Sequence, residues 1–153
     1  YERDTDAGGA NMNYRDMGVQ RSRNFKAFKL WMSLQVFGIE AFRRAVDHGL
    51  DLAEKAEQIL RSRPHWEIVT PATLGIVTFQ YRLPDLGEDE IESMNEAMTT
   101  ELCRTGYAYM STTLLYGRRV QRLCLNRHDA IEEDLLETIS RLESIAKNLR
   151  LAR

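Results

Sequence analysis

Few side chains in this sequence have the spacing that chemistry demands. His48, His65 and His128 lie far apart, on a helix-patterned stretch, behind a proline and in a turn, and form neither a metal-ligand set nor a nucleophile triad. Gly8 and Gly9 are not followed by a helix start at the spacing of a phosphate or dinucleotide loop, so the pair marks flexible chain. Cys103 and Cys124 lack the paired spacing of a zinc site and the density of a disulfide scaffold, and are expected reduced and buried. Arg122 shares a strand face with Val120 and Cys124, where a charge must be paired or near the surface; a structural ion pair is preferred there over a ligand contact.

The elements that would position these residues follow from periodicity. With 153 residues, 43% hydrophobic and 29% charged, the chain has the balance of one folded domain. A formal charge of -2 with scattered basic residues gives no footprint for nucleic acid or an anionic membrane. No apolar run reaches the roughly 18 residues that crossing a bilayer takes, and a cytoplasmic location is expected.

Residues 1–20 show no apolar periodicity and read as an extended mobile loop. A first helix runs to Phe37, with Ser22 or Asn24 as N-cap and Gly38 as a left-handed C-cap; its apolar residues cover nearly every face, which predicts burial. In a second, Ile39, Phe42, Val46, Leu50, Ala53, Ala56 and Leu60 recur at helical steps until Pro64 ends it. "WEIVT" and "LGIVTFQYR" then read as strands joined at "PA", the second alternating Val77, Phe79 and Tyr81 against Ile76, Thr78 and Gln80. A third helix carries Ile91, Met94, Met98 and Leu102 and ends at Gly106. "YAYMSTT" and "RRVQRLCL" flank "LLYG" as a strand pair, and Asp129 with Glu132 makes a capping-box pattern for a last helix bearing Ile131, Leu135, Ile139, Leu142, Ile145 and Leu149. The order predicts an α+β layer, helices against a small, mostly antiparallel sheet.

The stretch "RSRNFKAFKLWMSLQVFGIEAFRRAVDHGLDLAEKAEQIL", with Lys29 to Trp31 as its "KLW" core and Gly38 closing the helix, resembles the segment after the catalytic loop in group II pyridoxal-phosphate-dependent decarboxylases, the family of aromatic-L-amino-acid, histidine and glutamate decarboxylases. The likeness continues through "WEIVTPATLGIVTFQYR" and "STTLLYGRRVQRLCLNRHDAIEEDL", from about Tyr14 to Leu136. Where the family usually has a threonine pair before its last helix, this chain has Asp129 and Ala130, and Asp129 can still cap.

The resemblance implies the C-terminal small α+β domain and linking helices of a fold-type I enzyme, whose parent architecture is α/β and aspartate-aminotransferase-like. On that reading residues 1–21 are a mobile catalytic-loop remnant and lead-in, 22–62 the linking helices and 63–153 the small domain. Pyridoxal 5'-phosphate is then held by residues outside this chain, because none of Lys26, Lys29, Lys55 and Lys147 follows a histidine as the family's Schiff-base lysine does. Tyr1 falls at the loop tyrosine that returns a proton to the substrate carbon after carbon dioxide leaves, and Arg15, in "NYRD", at an arginine that anchors the closing loop. Ser22 matches a position that contributes to substrate choice and here favours tyrosine, DOPA or histidine over tryptophan; a plain helix N-cap is its other reading. A chain beginning inside such a loop is expected to be one piece of a cut or separately described polypeptide.

The expected function is decarboxylation of an aromatic amino acid to its amine and carbon dioxide, by a homodimer that includes the N-terminal part of the same enzyme, with a small-molecule substrate and no nucleic-acid or membrane partner. Two alternatives stay open. One is a non-catalytic α+β interaction or regulatory module, with Phe28, Trp31 and Met32 at an oligomer interface. The other is an aldehyde synthase or acidic-amino-acid decarboxylase of the same family.

Overall fold

The computed structural model describes residues 25–151. The chain separates into two compact units, one ending at Gly38 and one starting at Ile39. In the first, helix α1 spans Lys26–Phe37. The expected cap residues Ser22 and Asn24 lie outside the described residues; Phe25 occupies the cap position, with no side-chain cap hydrogen bond. Phe25, Phe28 and Trp31, spaced by three, stack in sequence with ring centroids 5.9 Å apart at each step. The all-round apolar pattern predicts burial, yet no α1 residue is buried, and Trp31 is 56% exposed. Gly38 takes φ 76°, as expected for a glycine stop, but its ψ of 155° is extended rather than left-handed helical; its N–H donates to the Leu34 carbonyl at 2.9 Å.

The second unit holds α2 (Ile39–Ser62), β1 (Trp66–Thr73), β2 (Ile76–Tyr81), α3 (Glu88–Arg104), β3 (Ser111–Leu115), β4 (Arg118–Cys124) and α4 (Glu132–Leu151). The strands form one sheet in the order β1-β2-β4-β3, and every pairing is antiparallel. Alternation along β2 sends Val77, Phe79 and Tyr81 into the apolar cluster, as their spacing predicts. Val77 lies opposite Leu123 and Phe79 opposite Gln121, so these four share the face on which the core sits. Leu52, Ala53, Ala56 and Leu60 from α2, Met94, Met98 and Leu102 from α3, and Leu135, Ile139 and Leu142 from α4 complete that cluster. Burying a side chain of this size is worth about 1.5–3 kcal/mol. The N-terminal part of the α2 stripe departs from the pattern, since Ile39 and Val46 are exposed.

Turn chemistry decides where the strands end. β1 continues through Pro71 instead of stopping at "PA": it is an edge strand, where a missing N–H costs the sheet nothing on its open side. The reversal falls at Leu74 and Gly75, with φ of 51° and 74°, and the second hairpin turns at Tyr116 and Gly117, with φ of 52° and 76°. Two successive positive φ values match the right-handed twist of a tight hairpin. Leu114 and Leu115 therefore belong to β3, and Tyr107 to Tyr109 precede it.

At the start of α3 the Glu90 carboxylate accepts from the Gly87 N–H at 3.1 Å, and Glu88, Asp89 and Glu90 fill the anion-favouring first turn. α4 is capped otherwise than expected. Asp134 reaches back to the Ile131 N–H at 3.1 Å, while Asp129 is held by Arg127. Inside the domain Asn95 takes both backbone groups of Tyr81: its Oδ1 accepts from the N–H at 2.7 Å and its Nδ2 donates to the carbonyl at 2.9 Å.

Two tests follow. A Cβ at Gly49 would lie 2.4 Å from the backbone oxygen of Leu125, so Gly49→Ala is expected to lower stability by about 1–3 kcal/mol in urea melts, despite alanine's better helix propensity. Glu57 on α2 accepts from the Ala72 N–H on β1 at 2.5 Å, and that bond, reinforced by Arg61, holds its carboxyl below the usual carboxylate range. Its contribution is present above the unfolded pKa and lost as pH falls through the depressed folded one. The stability gap between wild type and Glu57→Gln, about 1 kcal/mol at pH 7, is therefore expected to narrow in melts taken at progressively lower pH.

Candidate functional site

The three residues that the resemblance singles out, Tyr1, Arg15 and Ser22, lie outside the described residues. Among the described residues, arginine, tyrosine and cysteine side chains gather where β4 hands over to α4. A cleft of about 520 Å³ opens there between the segment leading into β3, the end of β4 and the first turns of α4. Tyr107 and Tyr109 form one wall, and Arg122, Cys124 and Arg127 another.

Arg122 makes no ion pair among the described residues, contrary to the preferred expectation. Its Nε donates to Ser111 Oγ at 3.1 Å across the β3–β4 pair, where these two residues face each other. A hydroxyl suffices because the guanidinium stays partly exposed. Arg127 grips Asp129 bidentately, Nε to Oδ1 at 2.6 Å and a terminal nitrogen to Oδ2 at 3.1 Å. That bonding raises the guanidinium's pKa and holds the Asp129 carboxyl below its ordinary range, so both stay charged. Cys124 is a free thiol and exposed, and Cys103 is free and partly buried, so the expected burial of both fails; Cys124 closes β4 with its side chain outward.

The loop between β4 and α4 is tied from below. His48 Nε2 lies 2.7 Å from the Ala130 carbonyl, so this nitrogen carries the proton and donates. One residue on, Gly49 admits the Leu125 carbonyl against the α2 backbone, and the Leu125 N–H donates to the Gly75 carbonyl at 2.8 Å. Sequence reasoning assigned none of these positioning roles. The available signal was a glycine in mid-helix beside a histidine on the same turn. No group of three or more His, Cys, Asp or Glu side chains is arranged to hold a metal among the described residues. No helix among them is long and apolar enough to cross a membrane.

Fold and cleft together define a small α+β lobe that offers arginine, hydroxyl and tyrosine groups at one end of its sheet. Comparison with known proteins gives that lobe its family. The chain belongs to the pyridoxal-dependent decarboxylases: the pyridoxal-dependent decarboxylase conserved domain matches residues 1–82. It is 39% identical over 142 residues, 92% of its length, to an aromatic-L-amino-acid decarboxylase of Bacillus atrophaeus, and 31% identical over 74% of its length to tyrosine decarboxylase 2 of Arabidopsis thaliana. It spans 30% and 21% of the lengths of those two relatives. Among solved structures, Oryza sativa TDC with PLP and tryptamine superposes with a TM-score of 0.76 at 23% identity, covering 88% of this chain and 29% of that one. Mouse CSAD superposes with a TM-score of 0.78 at 16% identity, covering 95% of this chain and 32% of that one. These likenesses show the fold, the α+β portion of a fold-type I enzyme.

The family's cofactor is pyridoxal phosphate, and the described residues do not fit it. An amine that condenses with an aldehyde must be available unprotonated. Lys55 instead donates to Glu132 Oε2 at 2.7 Å, which raises its pKa and favours the ammonium. Lys26, Lys29 and Lys147 are exposed on helices. None of the described lysines is therefore buried where its charge would be disfavoured.

The loop anchorage can be tested directly. His48→Ala is expected to cost about 1–2 kcal/mol, by leaving the Ala130 carbonyl without its donor. It should also speed amide hydrogen exchange across residues 126–131, with the β2–β4 amides protected as before, as read by mass spectrometry.

Proposed function

We propose that this chain is the C-terminal segment of a pyridoxal-phosphate-dependent L-amino-acid decarboxylase that converts an aromatic amino acid, such as tyrosine, DOPA or histidine, to its amine and carbon dioxide. The observation that carries the reading is the likeness to the Bacillus aromatic-L-amino-acid decarboxylase along nearly all of this chain. The family resemblance supports three further parts of it: residues 1–21 as a closing catalytic loop with its lead-in, residues 22–62 as linking helices, and residues 63–153 as the small domain. It likewise supports a homodimer acting in the cytoplasm, completed by the N-terminal part of the same enzyme, where the cofactor is held.

In this proposal Tyr1 is the acid that returns a proton to the substrate carbon once carbon dioxide has left. Arg15 anchors the closed loop, and Ser22 contributes to substrate choice. Loop closure matters because a carbanion exposed to water takes protons indiscriminately.

One relative favours a second outcome. Phenylacetaldehyde synthase of Arabidopsis thaliana is 30% identical over 78% of this chain. The tyrosine at position 1 supports the amine-forming reading, since family members with phenylalanine at the corresponding loop position make aldehydes.

The test is Tyr1→Phe in the full-length enzyme, with products separated by mass spectrometry. Amine formation is expected to fall at least about 100-fold, the typical worth of a positioned general acid, and aldehyde should appear. An unchanged amine yield would remove Tyr1 from the mechanism.

A further inference from the structure

A second cleft, of about 480 Å³, opens where the chain turns from α2 into β1, against the last turns of α4. Its floor is apolar, made by Pro64, Leu83 and Ala146, with the Tyr81 ring beside them. Its rim is cationic, and the rim charges do not cancel. Arg63 is paired with Glu143 at 3.0 Å, and Arg150 with Asp85 at 2.7 Å. Glu143 is further engaged, because its other oxygen accepts from Trp66 Nε1 at 3.0 Å. Lys147, also on the rim, has no ion-pair or hydrogen-bond partner among the described residues. One ammonium is thus left over beside two neutralised guanidinium groups.

Two side chains that carry a donor line the same cleft. Tyr81 is 7% exposed, yet its hydroxyl has no hydrogen-bond partner among the described residues and is not a sealed, unsatisfied atom, so it opens to the cleft. Burial pushes its phenol pKa up, which keeps the O–H in place as a donor. His65 holds its imidazole edge-on to that ring, centroids 5.7 Å apart, from a backbone at φ 71°. A non-glycine side chain in the left-handed region is uncommon, histidine being among the types that enter it more often. Here the chain reversal after Pro64 and the bond from the Arg82 N–H to the His65 carbonyl at 2.7 Å hold it there.

We propose that this cleft binds a small organic anion, a carboxylate or phosphate on a flat apolar body, with Lys147 and the Tyr81 hydroxyl taking the anionic oxygens and Pro64, Leu83 and Ala146 taking the body. A cleft with an apolar floor and a few converging polar groups is the usual form of a small-molecule site. An isolated ammonium above that floor selects for negative charge. The inference rests on no part of the decarboxylase reading.

Trp66 reports on the site, through its bond to Glu143 and its edge contact with Tyr81 at 4.9 Å. In the full chain carrying Trp31→Phe, Trp66 is the sole tryptophan. Titration with phenyl phosphate and with benzoate is expected to shift its emission saturably, with a dissociation constant at or below about 1 mM for at least one of them; which one separates phosphate from carboxylate ligands. Benzyl alcohol and inorganic phosphate, lacking the charge and the body respectively, should each bind at least about tenfold more weakly. Lys147→Gln should weaken the organic anion about tenfold or more with an unchanged melting temperature, and Lys147→Arg should retain binding. Calorimetry repeats each titration independently of fluorescence. Absence of saturable binding by both methods overturns the proposal. So does equal affinity for benzyl alcohol or inorganic phosphate, or a Lys147→Gln affinity equal to wild type.

Discussion

The carbonyl of Leu125 lies so close to the backbone of α2 that residue 49 can carry no side chain. That approach organises the whole unit from Ile39 onward. Leu125 cannot swing its carbonyl away without breaking the bond from its own N–H to Gly75, and Gly75 is the positive-φ corner of the β1–β2 hairpin. One turn of α2 is thereby locked to the end of β4 and to the first hairpin at once. His48, the preceding residue, takes the Ala130 carbonyl, so the same turn also holds the far end of the β4–α4 loop. A glycine inside a helix costs about 1 kcal/mol relative to alanine. Here the cost is offset by a contact that no residue with a Cβ could make.

Apolar burial brings α3 to the sheet, and polar groups set its position. Met94, Met98 and Leu102 would pack nearly as well a short slide along the strands, because hydrophobic attraction has no direction. Asn95 removes that freedom by binding both backbone groups of Tyr81. Gln121, on the same sheet face, donates to the Asn95 carbonyl and to Thr99 Oγ1, each at 3.2 Å. Its own Oε1 is buried without a hydrogen-bond partner, the one such side-chain atom among the described residues. An unsatisfied buried acceptor costs about 1–3 kcal/mol, so this contact between sheet and helix is held at some expense to stability.

What the sequence made legible follows from which forces are periodic. The stripes on α3 and α4 and the alternation of Val77, Phe79 and Tyr81 were readable because each repeats at the pitch of its element; they are buried or packed against the core except Ile131, which precedes α4 and is exposed. The first hairpin corner departs from the "PA" reading because the backbone needs positive φ, which Gly75 supplies; the second does fall within "LLYG", at Tyr116 and Gly117, with its two leucines in the strand. Asp129 matched a capping pattern, but a bidentate arginine two residues back outcompetes a single backbone N–H for the same carboxylate. Arg122 is expected to find an acidic partner and instead bonds a serine directly across the β3–β4 hairpin, a pairing set by the register of the two strands. The candidate site divides the same way. The family was visible in "KLW" and the motifs after it, whereas the anchorage by His48 and Gly49 exists only once α2 meets the end of β4.

The placement of the lysines bears on how labour is divided in a decarboxylase of the proposed kind. A condensing lysine needs a site that disfavours its charge, with burial or a neighbouring cation lowering its pKa. The second unit holds Lys55 and Lys147: Lys55 bonds Glu132, which favours its ammonium and joins α2 to the start of α4, and Lys147 is exposed on α4. Arginines do fasten elements together: Arg63 and Arg150 pair with carboxylates distant in sequence, and Arg82, just past the end of β2, pairs with Glu67 on β1 and Glu88 at the start of α3. On these grounds the proposed function assigns the condensing amine to another part of the enzyme.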